Sequence, residues 1–194
     1  EMKAATDQLS SLGSDADDAS LFTNLVDVGT VIKKAKDNGQ DNTDFIKNVA
    51  GNANIAKEMK AAAEQLEELG DDADSASFFT NIVEVGSIVK KAQDSGVEDT
   101  DFVKNMARNA DIAKEMNAAA QQLDELGTDA DAASLFTNIV DVGKVVKKAK
   151  DSGVEDAELI RNMTKNPDKA KKVQEVFETV GTGIDSDAAK NILG

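Results

Sequence analysis

The sequence predicts an all-α protein assembled from tandem 57-residue three-helix repeats, arranged as an α-solenoid-like array or as a string of packed three-helix bundles. Three observations predict it. Glu1-Met2-Lys3-Ala4-Ala5 returns as Glu58-Met59-Lys60-Ala61-Ala62 and again as Glu115-Met116-Asn117-Ala118-Ala119, and the first two copies agree at about three positions in five. Apolar residues recur at steps of three and four, and no segment shows the alternation of a strand. Gly, Asn and Asp fall at the same phase in each copy, where helices are expected to begin and end. The implied divisions are a truncated first repeat at 1–51, full repeats at 52–108 and 109–165, and a partial, capping C-terminal repeat at 166–194.

The first helix of each repeat is expected to open at Asn52, Asn109 and Asn166. The last is followed by Pro167, which has no N–H to lose at a first helical position, so the Asn reads as N-cap and the Pro as N1. Ile55, Met59, Ala62, Leu66 and Leu69 then lie on one face, and Gly70, Gly127 and Gly13 follow as left-handed C-caps. Ala61, Ala62 and Ala63 keep this helix slim.

The second helix, over about 72–96, is the core helix of the unit, because Phe78, Phe79, Ile82, Val83, Val85, Ile88 and Val89 form a wide apolar face. Gly86 sits in its middle, with Gly29 and Gly143 at the same phase. A mid-helix Gly costs about 1 kcal/mol relative to Ala, so its recurrence implies a steric requirement: close approach of the Ala-rich first helix.

The third helix is short, over about 99–108, with Asn42, Asp99 and Asp156 as N-caps and Phe102, Val103 and Met106 on its buried side. A helix of that length needs its neighbours to persist. It passes to the next first helix with no flexible linker, which favours packing shared between units. After Asn166 the pattern decays. Gly181-Thr182-Gly183 stands at the turn and a brief segment at 187–193 replaces the long second helix, as in a terminal capping repeat. Glu1 falls inside a repeat motif, so the chain reads as a piece of something longer.

Composition narrows the function. With 37 acidic and 22 basic residues the formal net charge is −15, spread along the array, which opposes binding to nucleic acid or to anionic membranes. No apolar run is long enough for membrane insertion as a spanning helix. The chain has no Cys and no His, which excludes disulfides, thiolate chemistry, zinc sites and imidazole acid–base work. Lack of Cys also suits an extracellular or cell-surface protein. Only carboxylates and Lys remain for chemistry, and a surface repeated without Trp, Tyr or His to shape a cleft argues against an enzyme.

Four recurring features are candidate sites. The turn before each core helix carries Asp15 and Asp17, Asp72 and Asp74, and Asp129 and Asp131, carboxylates that could hold Ca²⁺. The spacing lacks the Gly and closing Glu of an EF-hand, and Asp at a helix start is what capping and the helix dipole favour without metal. A second acidic turn, as at Asp94-Ser95-Gly96-Val97-Glu98-Asp99, reads as a Gly stop followed by a cap. On the core helices, Phe22, Asn24 and Gly29, Phe79, Asn81 and Gly86, and Phe136, Asn138 and Gly143 mark packing or interaction positions, where the amides need hydrogen-bond partners. Lys33-Lys34, Lys90-Lys91 and Lys147-Lys148 lie in the last turns of those helices, where cations complement the dipole.

The expected role is therefore non-catalytic: a structural or spacer segment of a larger repetitive protein, at a cell surface or in an extracellular stalk, filament or lattice. The alternative is a protein-binding helical repeat, modulated by Ca²⁺ at the acidic turns. The expected partner is protein, including self-association through a heterologous contact. A three-helix unit of 57 residues is similar, in length and helix count alone, to the immunoglobulin- and albumin-binding modules of bacterial surface proteins.

Overall fold

The computed structural model describes residue 3 and residues 18–40, 42–153 and 157–180. These residues are predominantly helical, without a strand among them. The α-helices are α1 (Asp18–Thr23), α2 (Leu25–Asp37), α3 (Thr43–Gly51), α4 (Ala56–Leu69), α5 (Ser75–Thr80), α6 (Ile82–Asp94), α7 (Thr100–Arg108), α8 (Ala113–Leu126), α9 (Ala132–Asp151), α10 (Ala157–Lys165) and α11 (Ala170–Val180). Short 3-10 turns at Ala53–Ile55, Gly70–Asp72, Ala110–Ile112, Gly127–Asp129 and Pro167–Lys169 link several of them. The segments at 181–183 and 187–193, the caps Gly13 and Asp156, and Asp15 and Asp17 lie outside the described residues.

The chain forms two compact units, one of residues 1–90 and 99–111, the other of residues 91–98 and 112–194. In the first, α4 packs against α2 and α7, and α1 lies on the turn at Ala53–Ile55. Its core is small and aliphatic around α4, with Ala56, Met59, Ala62, Ala63 and Leu66 buried, and aromatic around α5, with Phe78 and Phe79 buried. In the second, α8 packs against α9 and α10, while α9 also meets α11 and the turn at Pro167. Met116, Ala119, Phe136, Val142, Val146 and Met163 fill its core.

The helix starts differ from expectation at one set of positions. Asn52 and Asn166 cap no following helix; each opens a 3-10 turn with no side-chain cap, and α4 and α11 begin only at Ala56 and Ala170. Asn52, Asn109 and Asn166 instead turn their amides back to close the preceding helix, Nδ2 donating to the carbonyls of Asn48 at 2.8 Å, Asn105 at 2.9 Å and Asn162 at 3.2 Å. The cause is local: ψ is 33° at Asn52 and 55° at Asn166, short of the extended value that aims a capping oxygen at the following N–H groups. Each of these carbonyls also receives the backbone N–H of the same Asn, so the amide adds a second donor at the helix end. Pro167 does occupy the first position of its turn.

Other expected caps are in place. Asn42 Oδ1 accepts from the Phe45 N–H at 2.8 Å and Asp99 Oδ1 from the Asp101 N–H at 2.9 Å. Gly70 and Gly127 end α4 and α8 at φ +53°, but with ψ −126° and −122°, a region more restricted to Gly than the left-handed helical one expected. Nothing lies within 4 Å of a Cβ at either, so the backbone conformation alone demands glycine there.

Candidate functional site

The core helix expected over 72–96 is two helices in the structure. A 3-10 turn at Gly70–Asp72 precedes it, Asp74 caps α5, and the α-helix is interrupted at Asn81 before α6. The same break falls at Asn24, between α1 and α2, whereas Asn138 lies inside the uninterrupted α9. The two break residues have nearly the same conformation, φ −104° and ψ 15° at Asn24, φ −111° and ψ 17° at Asn81. At Asn81 the main-chain ladder continues, its N–H reaching the Ser77 carbonyl at 3.1 Å and its carbonyl receiving the Val85 N–H at 3.0 Å.

The side chains of this Thr-Asn pair turn inward to their own helix. Asn24, Asn81 and Asn138 donate through Nδ2 to the carbonyls of Ser20, Ser77 and Ser134 at 2.9, 3.0 and 2.9 Å. Thr23, Thr80 and Thr137 each donate Oγ1–H to the carbonyl four residues back at 2.8 Å. The same two bonds are made at Thr137 and Asn138 inside the continuous α9, so they do not by themselves interrupt a helix. The amides are thus partnered within their own helices, not by a neighbouring turn.

The three Phe residues of this set stand in different surroundings. Phe79 is 1% exposed and Phe136 2%, but Phe22 is 61% exposed and Val26, one turn on, 68%. Phe79 is enclosed by two edge-to-face contacts, with Phe78 at 5.1 Å between ring centroids and with Phe45 of α3 at 6.3 Å. A groove of 380 Å³ continues from Val26 along α2, lined by Gly29, Thr30, Lys33, Asp37 and Glu67 among others.

Gly86 and Gly143 face methionines. A Cβ at Gly86 would stand 2.7 Å from Met59 Cγ and 3.3 Å from the Met59 backbone nitrogen. One at Gly143 would stand 2.6 Å from Met116 Cγ and 3.2 Å from Ile112 Cδ1. The steric requirement read from the sequence is therefore a Met-bearing turn of the Ala-rich helix pressed against each glycine.

The acidic turns are caps in two of the four described positions. Asp74 Oδ1 accepts from the N–H groups of Ala76 and Ser77 at 3.0 and 3.1 Å, and Asp131 Oδ1 from that of Ser134 at 3.1 Å. Asp72 and Asp129 end exposed 3-10 turns. Among the described residues no group of three acidic side chains is arranged to hold a metal ion. No described helix is long and apolar enough to cross a membrane.

The lysines at the helix ends do more than face solvent. Lys34 pairs with Glu67 across α2 and α4, and Lys91 with Asp124 at 2.6 Å. In both pairs the partners are 33 residues apart, an offset that could have been found in the sequence by testing charge pairs against the period. Lys60 Nζ also reaches back 33 residues, to Asp27 Oδ1 at 2.9 Å. The hydrogen bond to Asp27, and next that carboxylate's charge, hold the Lys60 ammonium above the ordinary lysine pKa. Lys104 pairs with Glu68 at 3.0 Å and Lys150 with Glu115 at 3.1 Å. Thr164, fully buried where the other copies have Ala50 and Ala107, places its hydroxyl 2.9 Å from the Ile160 carbonyl and 3.2 Å from that of Ala119.

The chain matches no protein family, no curated protein and no solved structure. What recurs in it is packing: glycine on methionine, lysine across to carboxylate, Asp on helix start.

Proposed function

We propose that the chain is a non-catalytic structural segment, a spacer made of 57-residue helical units and belonging to a larger repetitive protein. The observation that carries this reading is the glycine–methionine contact. Gly86 on Met59 and Gly143 on Met116 use glycines and methionines that recur 57 residues apart for close helix packing, which a scaffold needs and which leaves no cleft for a ligand at these positions. The inter-helix ion pairs and Asp caps support it further, because they account for recurring polar residues without a substrate. A surface or extracellular stalk, filament or lattice is the setting in which length added by duplication is useful.

Small-angle scattering with sedimentation, run with Ca²⁺ and with chelator, tests the reading. A monomer whose longest dimension grows by a constant step when one more 57-residue unit is added, and is indifferent to calcium, is the expected result. A calcium-dependent change in shape or mass would overturn the spacer and favour the regulated binding module. The exposed Phe22 and Val26 supply the one observation in favour of that second reading, since a contiguous apolar patch is a contact surface in waiting.

A further inference from the structure

Leu21, Phe22, Thr23 and Asn24 are matched 57 residues on by Phe78, Phe79, Thr80 and Asn81. The backbone takes the same conformation at both sites, since Asn24 and Asn81 share their φ and ψ to within a few degrees. Leu21 and Phe78 are both fully buried. The next residue is where the sites part: Phe79 is closed off and Phe22 is open, and Val26 is open where Val83 is half-buried. What lies on Phe79 is a known object. It is Phe45, carried by α3, whose Thr43-Asp44-Phe45 start recurs as Thr100-Asp101-Phe102 in α7.

We propose that the α1–α2 face bearing Phe22 and Val26 is the docking surface for a helix of the α3 kind supplied by a further copy of the unit, its aromatic side chain meeting Phe22 edge-on as Phe45 meets Phe79. The interface is one that the chain already builds, so its occupant is defined by chemistry: a short amphipathic helix with Phe at its third position. The proposal rests on reading the chain as an array of like units, and it locates where one more unit joins.

The chain contains no cysteine, so Phe22→Cys makes a single-thiol reporter. Residues 40–57 are added ahead of Glu1, which then follows Lys57 as Glu58 does. Maleimide should react with the unextended Phe22→Cys chain as with an open thiol, and about tenfold more slowly or less once the extension is present, because reaction then waits on local opening. The same extension carrying Phe45→Asp should restore the fast rate, and the extension should raise the thermal midpoint of the chain but not of its Phe22→Asp variant. Equal rates with and without the extension, or equal slowing by the Phe45→Asp extension, would overturn the proposal. The calcium arm of the scattering experiment, run on the unextended chain, tests the spacer role independently, so the two readings fail on different measurements.

Discussion

Met116 Cγ lies 2.6 Å from the point that the Cβ of any residue other than glycine would occupy at position 143, and Met59 Cγ stands 2.7 Å from the corresponding point at Gly86. Real Cβ atoms do not approach so closely, and behind the Met59 side chain its backbone nitrogen, at 3.3 Å, limits how far α4 can yield.

Gly86→Ala sets two effects against each other: a gain of about 1 kcal/mol in helix propensity and an overpacking cost of about 1–3 kcal/mol. The expected net is destabilisation, and Gly86→Leu should lower the urea midpoint far more. Combining Gly86→Ala with Met59→Ala should cost less than the sum of the single changes. A midpoint unchanged in Gly86→Leu would show that the helices do not need this contact.

Phe79→Ala should cost about 3–5 kcal/mol, because it empties a site closed by Phe45 and Phe78. Phe22→Ala, at an exposed position, should stay within about 0.5 kcal/mol. Chemical denaturation of the two variants checks the contrast; comparable losses would mean that Phe22 is covered in solution.

The Lys60–Asp27 pair predicts a pH dependence with a definite sign. Lys60 holds its proton more tightly folded than unfolded, so its contribution is fully present below the unfolded lysine pKa, about 10.4, and is lost as pH rises through the higher folded value. Lys60→Met should therefore be less stable than the parent chain near neutral pH, and the two should converge in strong alkali. A gap that persists at every pH would assign the loss to packing of the lysine stem.

Asp74→Ala and Asp131→Ala should each cost about 1 kcal/mol through loss of a cap. Asp72→Ala and Asp129→Ala, at residues that accept no capping bond, should cost less. Melting each variant with calcium and with chelator checks this, and equal losses in the two conditions are expected. A loss that appears only with calcium would make the turn a metal site.

The helices and the glycine phase were legible because they rest on local or periodic signals: apolar steps of three and four, Asp before a helix, and Gly at the same point of successive copies. Asn52, Asn109 and Asn166 were misread because an Asn carries both an acceptor for a helix start and a donor for a helix end, and only ψ decides between them. The break at Asn81 was invisible for a related reason, since the same Phe-Thr-Asn stretch interrupts the helix at Asn81 and continues it at Asn138. Phe22 and Phe79 are likewise indistinguishable by local sequence. Their difference comes from what packs on top, and for Phe79 that is a residue far back along the chain. The ion pairs escaped because the helix dipole already explained lysines at helix ends, leaving no prompt to look across to a second helix.

The Phe45–Phe79 contact also has a direction in time. During synthesis α3 emerges before α5, so Phe45 waits without its partner while the intervening residues are made, about 2–7 s at ordinary ribosomal speeds. At this contact α5 folds onto an aromatic helix that has already been made. Elongation and docking would then proceed in the same order, each new stretch folding onto a surface already laid down by the one before it.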